Sequence, residues 1–151
     1  MKAQIAGVGL TGLMTLSALA YAGAPDNYVE QSVTLAEEYG ITHFYELEFD
    51  DGNRADIEGW VDDEWFVEIG LRGDQIAQEE RERRIDGPWG MTAGELRGYV
   101  QAAITEGMVS IEEIAINNQG IVEVEGEDAN GRDIDVYFRT GDTEPESVQR
   151  D

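Results

Sequence analysis

The chain has 151 residues, no cysteine, one histidine and 33 acids against ten basic residues, for a formal net charge of −23. Disulfides and thiolate chemistry are excluded, and so is direct nucleic-acid binding, which needs a basic patch against phosphate. Acids at this density repel one another in dilute buffer and are screened by salt over about 8 Å at physiological ionic strength. They suit a chain adapted to brine or, alternatively, one that meets a basic partner or many cations.

Residues 1–22 differ from the rest. Lys2 precedes an apolar run from Ile5 to Leu19 that ends in Ala20-Tyr21-Ala22, and the small residues Ala20 and Ala22 fit signal-peptide cleavage, with a second possible cut after Ala24. An uncut anchor is the alternative, since Ile5 to Ala22 is near the lower limit for spanning a bilayer. The expected location is periplasmic or secreted, with no membrane insertion once the segment is removed. Loss of Lys2 leaves nine arginines against 33 acids, a net charge of −24. The remaining 129 residues (151 minus 22) suffice for one modest core.

In the first unit, 23–71, Asp26 or Asn27 is expected to cap a helix carrying Val29, Val33 and Ala36, closed by Gly40 in a left-handed cap. Three period-two runs follow: Leu47 and Phe49; Ala55 and Ile57; Val67, Ile69 and Leu71. His43 falls on the face of Tyr45, Leu47 and Phe49, a core-edge position. Alternation puts Trp65 on the buried face and Trp60 and Phe66 on the other, making Trp60 and Phe66 the expected partner-contact residues.

The charged linker 72–90 is expected to be partly helical over Gln75 to Arg84, through Glu and Arg pairs three or four residues apart, until Gly87-Pro88 breaks it and Trp89 pins it. In the second unit, 91–141, Thr92 and Glu95 form a capping box before Leu96, Tyr99, Val100, Ala103 and Ile104, with Gly107 closing the helix. Strands carrying Ile114 and Ile116, Val122 and Val124, and Ile134, Val136 and Phe138 follow. The last two are joined by Asn130-Gly131, which suits a type I′ turn. The tail 142–151 is polar and expected to fray.

The two units superpose without gaps at an offset of 67 residues, with Gly40 on Gly107, Glu46 on Glu113, Glu58 on Glu125 and Gly59 on Gly126. The expected fold class is α+β, two repeated units, each a helix followed by a three-stranded antiparallel meander, with the helices on one face of the sheet or sheets.

Asp128, Asn130, Asp133 and Asp135 resemble a calcium loop. Counting from Asp128, however, glycine stands at position four and Arg139 at twelve, where an EF-hand needs glycine at six and glutamate at twelve. They read as solvent-facing acids of a hairpin, with a loose calcium site at Asp128, Asn130 and Asp133 as the alternative. One histidine and no thiol give no nucleophilic triad and no zinc site. Carboxylates are so abundant that no particular pair points to hydrolysis. No catalytic residue and no cofactor is expected.

The run from Ile111 to Ile116, the strand Val122 to Gly126, the turn Asp128 to Gly131, the strand Arg132 to Phe138 and the dipeptide Thr140-Gly141 resemble the PepSY domain family. The likeness covers about Thr92 to Gly141; the first unit has the same order, with Arg72-Gly73 in place of Thr-Gly. It implies a non-enzymatic extracytoplasmic binding or regulatory module whose protein partner is a peptidase or another envelope protein. An acidic calcium-binding envelope protein is the alternative.

Overall fold

Strands form wherever apolar side chains alternate with acids, and in residues 21–151, which the computed structural model of the protein describes, that rule operates eight times. In chain order the elements are α1 (Asp26–Tyr39), β1 (His43–Asp50), β2 (Arg54–Trp60), β3 (Trp65–Arg72), β4 (Gln75–Arg83), α2 (Ala93–Thr105), β5 (Met108–Ile116), β6 (Ile121–Asp128), β7 (Asp133–Arg139) and β8 (Ser147–Arg150). The eight strands form one sheet in the order β4-β3-β2-β1-β5-β6-β7-β8, antiparallel throughout. The signal segment expected over 1–22 lies, up to residue 20, outside the described residues.

The expected pair of helix-plus-three-strand units is therefore wrong. Each helix precedes four strands, and β1 joins β5 through Glu46↔Ala115, Leu47↔Ile114 and Glu48↔Glu113, which merges everything into one sheet. The linker helix is wrong for the same reason: Gln75–Arg83 is strand β4, paired along β3 and exposed at every position. Side-chain pairs on a solvated helix contribute only about 0.2–0.5 kcal/mol each. Pairing with β3 satisfies a whole row of backbone groups, and Gly73, at φ 58°, makes the reversal. The dense charge that suggested a helix instead guards an edge strand against further pairing. The tail does not fray either, because β8 sets Val148 opposite Val136 and the Arg150 guanidinium reaches the Glu106 carbonyl at 2.9 Å.

One face of the sheet is covered by both helices. Val29, Val33 and Ala36 of α1 and Leu96, Tyr99 and Ala103 of α2 pack on Leu47, Ile57, Ile69, Ile114, Val124 and Val136, all of them buried. Arg97 holds the helices together, reaching Glu30 at 2.9 Å and Glu37 at 2.6 Å. Thr92 caps α2 as expected, its Oγ1 accepting from the Glu95 N–H at 3.3 Å. At α1 neither Asp26 nor Asn27 is the cap; Pro25 precedes the helix and offers no side-chain bond.

Bulges at Phe44/Glu46 and at Ile111/Glu113 shift the alternation within β1 and β5. The face expected for His43 is thus wrong: Phe44 is the buried residue, whereas His43 is half-buried with Nδ1 3.0 Å from Thr42 Oγ1. Each bulge is met by a glycine. A Cβ at Gly59 would run into the His43 carbonyl oxygen, and one at Gly126 into the Ser110 carbonyl oxygen. Gly126→Ala is expected to cost about 2–4 kcal/mol of stability in urea denaturation, whereas Gly94→Ala in α2, with nothing within 4 Å, should be neutral or stabilising by up to about 1 kcal/mol.

Candidate functional site

The face of the sheet away from the helices is built from the polar half of every alternation. With Leu47, Ile57, Ile114, Val124 and Val136 turned to the core, their neighbours turn outward, and nearly all are acids. Register then lines them up. Asp56, Glu48, Glu113, Glu125 and Asp135 lie opposite one another across β2, β1, β5, β6 and β7. A parallel row runs Glu80, Glu68, Glu58, Glu46, Ala115, Glu123 and Tyr137 from β4 to β7. Adjacent strands are about 4.8 Å apart, so each carboxylate meets like charges on both sides.

Arginines do not relieve these rows. The ion pairs among the described residues lie on the helices, the turns and the sheet edges, as with Arg97–Glu30, Arg132–Asp128, Arg139–Glu146, Arg81–Glu79 and Arg150–Glu106. Proton affinity rises as a result. Glu46 is pushed up to about 7, by desolvation first and then by Glu113, Glu58 and Glu48. Glu125 is pushed up to about 7 by desolvation, then Glu123 and Glu113. Desolvation followed by neighbouring acids also raises Glu58, Glu112, Glu113 and Asp135. The Tyr137 phenol, hydrogen-bonded to Glu123, is held up to about 12. At the centre, one oxygen each of Glu46, Glu48 and Glu113 lie within 4.8 Å of one another. A proton on Glu46 or a bound cation can each neutralise that trio.

Other candidate residues fall elsewhere. Trp60 and Phe66 are on the expected side of the sheet but are not a contact surface, being 1% and 7% exposed. They pack edge to face at 5.7 Å, Tyr45 meets Phe66 at 5.9 Å, and Trp89 covers Tyr45 at 5.3 Å. The Arg84 guanidinium carbon sits 3.8 Å over the Phe66 ring. The chain beyond β4 thus folds over them. Trp65, expected in the core, opens β3 beside the Asp62 turn and is 37% exposed.

Asp128, the first residue of the alternative calcium site, is occupied by its own turn. Its Oδ1 accepts the N–H groups of Asn130 and Arg132 at 2.8 and 3.0 Å, and its Oδ2 accepts Arg132 Nε at 3.1 Å, which holds its carboxyl below the usual range. Asp133 stands opposite Glu127 at the start of β7. The hairpin forms, but not through a type I′ turn: only Gly131 has positive φ, and Gly131 N–H returns to the Asp128 carbonyl, as in a type I turn closed by a left-handed glycine. Asn117 and Gly120 build the same turn at the other end of β6. Thr140-Gly141 ties that turn to α2, Thr140 Oγ1 donating to the Gly120 carbonyl at 2.6 Å and Gly141 N–H to the Tyr99 hydroxyl at 2.8 Å.

No protein-family model matches this chain, and no curated protein matches it. Among solved structures, that of a candidate lipoprotein from Clostridium difficile 630 is similar over 90% of this chain and 98% of its own, at 11% identity and a TM-score of 0.46. That likeness is slight and carries no functional information. No helix among the described residues is long and apolar enough to cross a membrane.

The acid rows set the sign of the pH dependence. For Glu46 and Glu125 the folded chain binds protons that the unfolded chain has already lost between about pH 4.5 and 7, so stability falls as pH rises through that window. Asp128 acts oppositely, its contribution being lost only as pH drops below the ordinary carboxylate range. In low salt the melting temperature is expected to be higher at about pH 5 than at about pH 8. The gap should narrow in molar NaCl and shrink with Glu46→Gln; equal melting temperatures at both pH values in low salt would contradict this account.

Proposed function

We propose that the protein is a non-enzymatic extracytoplasmic binding module, adapted to high salt, whose acid-covered sheet face receives a basic surface of a protein partner. One observation carries this: two unbroken cross-strand rows of carboxylates on the face left free by the helices, with no ion pair to them among the described residues. A face that raises its own proton affinity is electrostatically unsatisfied, and a cationic partner relieves it without any chemistry. Such complementarity supplies on-rate and selectivity. The PepSY-like reading of Thr92 to Gly141 is part of the proposal. It is supported by α2 followed by β5 to β7 and by the structural duty of Thr140-Gly141, and it points to a peptidase or another envelope protein as partner.

A second reading, calcium binding, is favoured by the trio Glu46, Glu48 and Glu113. Its oxygens are close enough to converge on one ion, although calcium takes 6–8 oxygens at about 2.3–2.6 Å and most would come from water.

Both readings are testable. Immobilised protein is expected to retain a specific basic partner from envelope extract in high salt, and the triple variant Glu48→Gln, Glu113→Gln, Glu125→Gln to lose it. Retention of nothing specific by the unaltered protein would remove the support for a binding module. In calorimetry at pH 7, calcium is expected to bind saturably and release a proton from the Glu46 group, making the measured heat depend on the buffer. A response matching sodium at equal ionic strength would leave only screening.

A further inference from the structure

Two short segments outside the strands are built into the sheet in the same way. Met91 and Phe44 exchange backbone hydrogen bonds, Phe44 N–H to the Met91 carbonyl at 2.7 Å and Met91 N–H to the Phe44 carbonyl at 2.8 Å. Sixty-seven residues earlier in each partner's numbering, Ala24 and Ile111 do likewise at 2.7 and 2.8 Å, with Ala24 as the counterpart of Met91 and Ile111 that of Phe44. Ala24 and Met91 are both fully buried. A glycine precedes each because the backbone passes too close for a side chain: a Cβ at Gly90 would run into the Phe44 carbonyl oxygen, and one at Gly23 into that of Ile111. Burial begins abruptly, since Ala22 is exposed and Gly23 is buried. The Gly90-Met91 anchor is secured by chain on both sides. The Gly23-Ala24 anchor stands next to the alanines that suit a signal-peptide cut.

We infer that the chain is cut between Ala22 and Gly23, and that Gly23-Ala24 is the anchoring end of the processed protein. Water adds across the Ala22–Gly23 amide, leaving a carboxylate on Ala22 and an ammonium on Gly23. The peptidase involved reads small residues at the first and third positions before the bond, here Ala22 and Ala20. A cut after Ala24 would also follow an alanine. It would remove a buried methyl and both hydrogen bonds to Ile111, stranding a backbone N–H and a carbonyl beside the core. Only the first cut yields a product that keeps both anchors.

The inference rests on the extracytoplasmic reading of residues 1–22. The test is N-terminal sequencing and intact mass of the full chain, expressed in a cell that exports it and recovered after export. Gly23 as first residue is the expected result. Pro25 as first residue, or a cut at any other bond, overturns the inference while leaving export intact; a chain that keeps the whole segment overturns both together. The anchor role is read separately from Gly23→Val in the full chain, expected to lower the melting temperature by roughly 5–10 °C. The milder Ala24→Gly, which keeps both backbone bonds and loses only the buried methyl, is expected to lower it by about 2–5 °C. Unchanged melting in both variants would overturn that role.

Discussion

The antiparallel pairing of β1 with β5 governs the rest of the molecule. On the helix side it sets Leu47 against Ile114, both completely buried, and on the other side it sets Glu48 against Glu113. Burying each aliphatic side chain contributes about 1.5–3 kcal/mol, whereas like charges directly opposite across a strand pair cost of the order of 0.2–1 kcal/mol. The core wins this contest in every register position, and the acids follow. Without β1–β5 pairing there would be two small sheets and two short runs of acids. With it the rows cross most of one sheet, and Glu46, Glu48 and Glu113 meet at its centre.

Much of this was legible in the chain itself. Period-two alternation located the six long central strands, and the capping box at Thr92 with the glycines after each helix located the helix ends. The illegible parts have identifiable causes. Residues 75–84 carry a helix-like charge pattern, and the requirement that decides against a helix, an unsatisfied edge on β3, is a property of tertiary structure. Local charge pairs are too weak to compete with it. The tail becomes β8 for the same reason, with Val148 as its one inward contact.

The candidate face was half legible. Every outward position could be read as acidic from the alternation, but the rows depend on register between strands far apart in sequence, which two bulges reset. Those bulges also moved His43 and Phe44 from their expected faces. Their sequence traces are Gly59 and Gly126, matched at the same offset as Glu58 and Glu125, since each glycine makes room for a bulged carbonyl. Trp60 and Phe66 illustrate the opposite limit. Alternation gave the correct side of the sheet, but side is not exposure, and the segment carrying Arg84 and Trp89 returns across them.

An aromatic patch and an acid field place different demands on a partner, and this sheet commits to the second. Its aromatics are spent on fastening the return from β4, where Tyr45, Phe66 and Trp89 stack edge to face. The acids that remain are held by backbone register on a rigid sheet, so they cannot separate to relieve their repulsion as acids on a flexible tail would. Their options are to take up protons, gather counterions or meet a cationic surface, and brine supplies the second at all times. In high salt the fold is then stable without a partner, and a partner must offer more than diffuse positive charge: its cations have to match the spacing of the rows. A rigid like-charged face in a screening medium therefore favours shape-matched contacts over long-range attraction.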